Sequence, residues 1–289
     1  MNNITIGKNT FNLNQNTILM GILNITPDSF SDGGKFYSKE KAIKQAILME
    51  KQGADIIDIG GESTRPGAKK ISVNEEIDRI IPIIEEIIEK INIPISVDTY
   101  KSKVAKKAID IGVSMINDIT ALRGDKSLIK IIRDYDIAIC LMHMKGTPKN
   151  MQINPKYEDI IKEIYAFLKD RTDFALKNKI KKDKIIIDPG IGFGKRTGKG
   201  TEDNCEILRN LEKLKKLNFP IMIGASRKTF IGNISGYKKF LPINQRIEGS
   251  LAAACIAVMN GANIIRAHDI KETRRCLNLV DFIIKKCSE

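Results

Sequence analysis

Polar side chains able to bind or catalyse recur along this 289-residue sequence, each just after a short apolar run. Asn24 follows "MGIL" and opens "TPDSFSDGG". Then come "DIGGESTRPGA", "SVDTYK", "INDI", "LMHMKGTP", "IDPGIGFGK", "GASRK" and "RAHD". Asp98, Asn117 and Asp188 each end such a run, and any one alone reads equally well as the N-cap of the next helix. Three such groups aimed into one mouth would be costly to bury without partners, so together they imply a ligand that donates hydrogen bonds. A flat heterocycle with amino and ring N–H groups answers that need. The carboxylates accept, Asn117 accepts and donates, and Lys228 donates to a ring carbonyl or nitrogen.

His143 and His268 are the only histidines. His143 reads as a structural residue that orients a loop. In "RAHD", Arg266 and His268 stand two apart, hence on one side of a strand, as a paired donor set suited to phosphate. Phosphate sites in barrels commonly lie near the last two strands. "GIGFGK" lacks the spacing of a dinucleotide fingerprint and an acidic partner about 20 residues on, which argues against NAD. Thr64 and Arg65 sit on a loop stiffened by Pro66, although an ordinary capped turn would read the same way. No His/Cys cluster is present; oxygen ligands such as Asn24 would favour Mg²⁺ over softer metals.

The elements that must position these groups alternate throughout. Strands are expected near 17–23, 55–59, 94–98, 113–117, 137–142, 184–188, 220–225 and 263–267. Helices are expected near 38–52, 73–91, 101–111, 125–134, 156–179, 203–217, 244–260 and 271–286. Runs such as "KIIIDP" and "PIMIGAS" are apolar on both faces, as in a parallel sheet covered by helices. Eight such units without a Pro/Gly/Ser-rich linker predict an α/β protein, a (β/α)₈ TIM barrel in a single domain over 1–289, with a doubly wound sheet as the alternative. Residues 1–16 are expected to form a short N-terminal hairpin under the barrel.

Bulk properties narrow the partners. Hydrophobic residues make up 42% and charged residues 29%, which excludes disorder as the default. The net charge of +13 and the pI of about 9.4 would suit an anion. The lysines are scattered along helices without interleaved aromatic residues, which argues against nucleic acid and leaves a small anionic substrate. Five widely spaced cysteines without a CxxC argue against a zinc site or a disulfide framework and for a reducing cytoplasm. No apolar leader and no run of about 18 apolar residues occurs, so neither processing nor a membrane is expected.

In order, and at every strand end from about Met20 to Asp269, these stretches resemble dihydropteroate synthase, the folate-pathway transferase targeted by sulfonamides. The resemblance implies condensation of 6-hydroxymethyl-7,8-dihydropterin diphosphate with p-aminobenzoate, with Mg²⁺, usually in a homodimer. It implies pterin contacts from Asp98, Asn117, Asp188 and Lys228, with Met142 and Phe193 near the ring. It also implies a metal and diphosphate contact at Asn24, diphosphate contacts at Thr64, Arg266 and His268, and aminobenzoate contacts at Arg65, Pro66, Ser226 and Lys228. Catalysis would fall to Asp98, Lys228, Arg266 and His268. The link "RTGKGTEDN" is a few residues longer than is usual for the family. No kinase or aldolase domain is attached, as expected of a monofunctional form. Two other readings of the scaffold are a corrinoid methyltransferase, which needs no diphosphate site, and a catalytically silent pterin-binding protein.

Overall fold

Inward and outward side chains alternate along each strand, and that alternation builds two separate cores. The computed structural model describes residues 2–26, 34–63, 67–198, 202–236 and 239–285. Thr64, Arg65 and Pro66, most of the first strand's polar loop (27–33) and 199–201 of the long link lie outside the described residues.

The chain runs β1 (Asn3–Ile6), β2 (Asn9–Asn12), β3 (Ile18–Asn24), α1 (Gly34–Lys51), β4 (Ile56–Gly60), α2 (Val73–Ile88), β5 (Ile95–Asp98), α3 (Ser102–Asp110), β6 (Met115–Asp118) and α4 (Leu128–Tyr135). It continues through β7 (Ala138–Met142), α5 (Ile160–Lys177), β8 (Ile185–Asp188), α6 (Asp203–Arg209), β9 (Met222–Ile223), α7 (Thr229–Ser235), α8 (Ile247–Met259), β10 (Ile264–Ala267) and α9 (Ile270–Lys285). Eight parallel strands follow one another in the order β8-β7-β6-β5-β4-β3-β10-β9. A parallel bridge between Ile187 and Ile221, with the Ile187 N–H donating to Pro220 O at 2.9 Å, joins the two edges. The sheet is therefore a closed barrel, as the alternating pattern predicted, and not a doubly wound sheet.

Outward residues such as Leu19, Ile57, Val97, Ile116, Leu141 and Ile265 pack under the helices. Inward residues Ile18, Met20, Ile56, Met115, Cys140, Ile186, Met222 and Ile264 form the second core. The expected hairpin is present, with β1 and β2 paired antiparallel. Its Ile4 and Ile6 join the inner core and plug the barrel floor. Two residues further along four of these strands, the same inward face becomes polar: Ile56 gives way to Asp58, Met115 to Asn117, Ile186 to Asp188 and Ile264 to Arg266. A period of two thus sets a charged layer on an apolar one.

Some elements depart from expectation. The helix expected over 203–217 is α6 followed by a 3₁₀ stretch, Leu211–Leu217. Asn210 breaks it, because its Nδ2 donates to the Glu206 carbonyl at 3.0 Å and competes with the helix ladder. Leu211, Leu214 and Leu217 remain buried, since spacing by three suits the tighter helix. β9 is shorter than the expected 220–225, and Pro220 has no N–H to give the ladder. α7 was not anticipated; seven residues are too few for periodicity to reveal. Among the described residues no helix is long and apolar enough to cross a membrane.

If the hairpin stabilises the barrel from below, truncating its buried side chain should be felt. Ile6→Ala is expected to lower unfolding stability by about 2–4 kcal/mol and Ile6→Val by about 1 kcal/mol in urea titrations. Equal stability of all three proteins would mean that the plug contributes nothing.

Candidate active site

The charged layer centres on Arg266, which β10 places across the barrel interior. Its Nε donates to Asp58 Oδ2 at 2.6 Å and its NH2 to Asp98 Oδ2 at 3.1 Å. Asn117 Nδ2 donates to the same Asp58 oxygen at 3.0 Å. One guanidinium therefore ties β4, β5 and β10, and through Asn117 also β6. Two of its nitrogens thus face inward onto carboxylates.

One cation does not neutralise the layer. Burial pushes the Asp98 carboxyl up to about 7, against the pull of Arg266, and the nearby Asp58 carboxylate adds to the rise. Burial likewise raises Asp188, although it accepts from the Gly190 N–H at 2.7 Å and lies near Lys228. Asn117 Oδ1 is buried and accepts from no described protein donor. None of these three side chains caps a helix. The N-caps of α3, α4 and α6 are Lys101, Ser127 and Glu202, so the capping reading fails. Acceptors at the ends of β5, β6 and β8 are the pattern that a ligand rich in N–H groups requires.

Lys228 supplies the complementary donor. Burial lowers its ammonium to about 8, with Asp188 opposing the shift. The Nζ donates to the Ile191 carbonyl and stands 4.4 Å from the centre of the Phe193 ring. The turn that presents Lys228 is strained: Arg227 has φ of 57°, the left-handed region. Several contacts hold it there. The Arg227 N–H donates to Ser250 Oγ at 2.9 Å, its carbonyl accepts from Arg246 NH1 at 2.9 Å, and its guanidinium pairs with Asp269.

Ser226 Oγ lies 3.0 Å from His268 Nδ1 and accepts from the His268 N–H at 3.2 Å. Which of the two donates follows the ring's tautomer, and a donating hydroxyl would leave the neutral ring's proton on Nε2. Met142 and Phe193 share an apolar cluster with Ile119, Met144, Met151 and Tyr100. The site thus has an apolar wall and acceptor edges, the shape of a slot for a flat polar ring.

Asn24 ends β3 in register with Gly60. A Cβ on Gly60 would lie 3.6 Å from both Asn24 Oδ1 and Asp98 Cβ, so the glycine keeps open the space between them. Among the described residues no group of three or more His, Cys, Asp or Glu could hold a metal. A single amide oxygen fits a hard cation that brings phosphate and water oxygens with it, as Mg²⁺ does, and does not fit a resident ion.

His143 is structural, as expected. Its Nδ1 faces Lys195 Nζ at 3.0 Å, and burial lowers its pKa to about 2. Sequence reasoning missed Asp58, Lys195 and the anchor of the "GESTRPGA" loop. In that anchor, buried Lys101 Nζ contacts Glu76 at 2.6 Å, Glu62 at 3.0 Å and the Ile71 carbonyl at 2.8 Å, tying both stems of the loop. Asp58 had one signal, its place between Ile56 and Gly60 on the inward face of "IIDIG".

A family model described as pterin binding enzyme matches residues 20–268. The dihydropteroate synthase of Clostridium beijerinckii is 44% identical over 97% of this chain and 99% of the relative. The dihydropteroate synthase structure from Clostridium difficile with pteroic acid superposes with a TM-score of 0.87 at 42% identity, covering 95% of this chain and 99% of that one. The structure from Xanthomonas albilineans with 4-aminobenzoic acid superposes with a TM-score of 0.89 at 38% identity, covering 98% of each chain. With the charged slot, the closed barrel and these relatives in agreement, the chain belongs to the pterin-binding enzymes and, among them, to the dihydropteroate synthases, folate-pathway transferases that join 6-hydroxymethyl-7,8-dihydropterin diphosphate to p-aminobenzoate.

Proposed function

We propose that Asp98, Asn117, Asp188 and Lys228 hold the pterin, that Arg266, His268 and Asn24 hold its diphosphate, and that p-aminobenzoate enters last at Ser226, Lys228, Arg65 and Pro66. The observation carrying this reading is the convergence of two buried acceptors, Asn117 and Asp188, with the half-buried Asp98 carboxyl and Lys228 ammonium beside an apolar cluster. The pteroic acid and 4-aminobenzoic acid in the two solved relatives support a slot of this kind.

An aromatic amine is a weak nucleophile, so the barrier falls most by easing the departure of diphosphate. Arg266 and His268 would meet the developing negative charge. Mg²⁺, bound through Asn24 and the diphosphate, would supply further charge neutralisation. As the C–O bond breaks, positive charge grows on the pterin methylene, and the carboxylates of Asp98 and Asp188 stabilise it. The amine of p-aminobenzoate then forms the C–N bond and gives up one proton to the departed pyrophosphate or to solvent. Thr64, Arg65 and Pro66 belong to a loop whose stems Lys101 fixes, suited to excluding water from that step.

We further propose a cytoplasmic, single-domain enzyme acting as a homodimer. One face of α8 packs on the barrel, with Ser250, Ala253, Ala254 and Ala257 buried. Ile256 and Met259 of α8, and Leu279, Phe282 and Ile283 of the adjoining α9, are exposed and would pack against a second copy.

Pyrophosphate release from the pterin diphosphate with Mg²⁺, dependent on p-aminobenzoate, is the direct test, and it separates this reading from a methyltransferase or a silent binding protein. Radiolabelled p-aminobenzoate should bind only when pterin or pyrophosphate is already present; binding to the free enzyme would refute the order. Arg266→Ala should lose about 2–4 kcal/mol of transition-state stabilisation, and unchanged turnover would remove Arg266 from that role. The pH profile of kcat/KM for the pterin diphosphate should be bell-shaped. It rises as Asp98 ionises near 7 and falls as Lys228 loses its proton near 8. Lys228→Arg should remove the falling limb, and a limb that stays in place belongs to another group.

A further inference from the structure

The glycine-rich loop after β8 has an unusually complete set of carbonyl partners. Gly190, Gly192 and Gly194 have φ of 72°, 79° and 61°. A Cβ on Gly190 would come within 1.9 Å of the His143 carbonyl, and one on Gly194 within 2.4 Å of the Lys145 carbonyl. The loop therefore lies hard against the end of β7, in a path only glycine can follow. Its carbonyls are then taken by four side chains. Gly190 O and Phe193 O accept from Lys195 Nζ, both at 2.9 Å. Ile191 O accepts from Lys228 Nζ, Gly192 O from Gln152 Nε2 at 2.7 Å, and Gly194 O from the Tyr157 hydroxyl at 2.5 Å.

Lys195 is the centre of this arrangement and is only 1% exposed. Its remaining contact is to His143 Nδ1 at 3.0 Å, which ties the loop to the neighbouring strand end. An ammonium has three hydrogens, and these three acceptors use them. Lys195 therefore has no donor left for a substrate, although it lies within the most glycine-rich stretch of the site.

We propose that Lys195 is a positioning residue for pterin recognition: by gathering the loop's carbonyls it fixes the Ile191 carbonyl and the Phe193 ring, which in turn hold the Lys228 ammonium at the mouth. The proposal rests on the assignment of Lys228 and Phe193 to the pterin slot. It makes Lys195 act through Lys228, and that is a measurable coupling.

The test is a double-mutant cycle on equilibrium binding of the pterin diphosphate, read by pterin fluorescence. Lys195→Met keeps the length of the buried stem and removes the ammonium. Alone it should weaken binding about ten-fold. In a Lys228→Met background the same change should cost less than about two-fold, because the group it positions is gone. Additive losses, or unchanged binding by folded Lys195→Met, would overturn the proposal. Where circular dichroism finds Lys195→Met unfolded, Gln152→Ala and Tyr157→Phe release the same loop from outside and decide the cycle by the same criterion. Wild-type affinity in Lys228→Met alone would instead refute the pterin assignment itself.

Discussion

Arg266 sits where two carboxylates from adjacent strands would otherwise face each other inside a sealed barrel. Without it, those carboxylates would lose their cation, and removing one partner of such a buried pair costs roughly 3–5 kcal/mol. With it, the carboxylates remain underneath the substrate, Asn117 is oriented through Asp58, and the ends of β4, β5, β6 and β10 are held in one register. The pair is weak evidence of stability by itself. Its value lies in keeping acceptors charged, or nearly so, in a place where burial favours neutral groups.

Around that pair the site is assembled from strained or enclosed parts that hold each other. Arg227 adopts a left-handed backbone because Ser250, Arg246 and Asp269 grip it from other elements. The glycine loop keeps its path because lysines, a glutamine and a tyrosine take its carbonyls. Lys228 is where the two devices meet. Its nitrogen is reached by the loop from one side, and its backbone is set by the turn from the other.

Much of this was legible in the sequence, for a physical reason. Asp98, Asn117, Asp188 and Arg266 are polar residues ending apolar runs, and a parallel barrel sends such residues to one mouth. Asp58 was harder, because it stands inside a run and only the inward register of β4 reveals that it shares a face with Ile56 and Gly60. Lys195 left no signal at all: two of its partners are backbone carbonyls, and any sequence offers carbonyls everywhere. The break at Asn210 and the shortened β9 were local competitions between a side chain, or a proline, and the ladder, which averaged periodicity does not resolve.

The floor beneath the charged layer has an electrical role. Ile4 and Ile6 close the barrel with hydrocarbon, so solvent dipoles cannot gather under Asp58 and Arg266 to screen them from that side. Field lines from the layer are therefore directed outward through the open end, where low-dielectric walls concentrate them on whatever occupies the slot. The N-terminal hairpin, with no group of its own near the reacting atoms, acts as the insulator that makes those charges count.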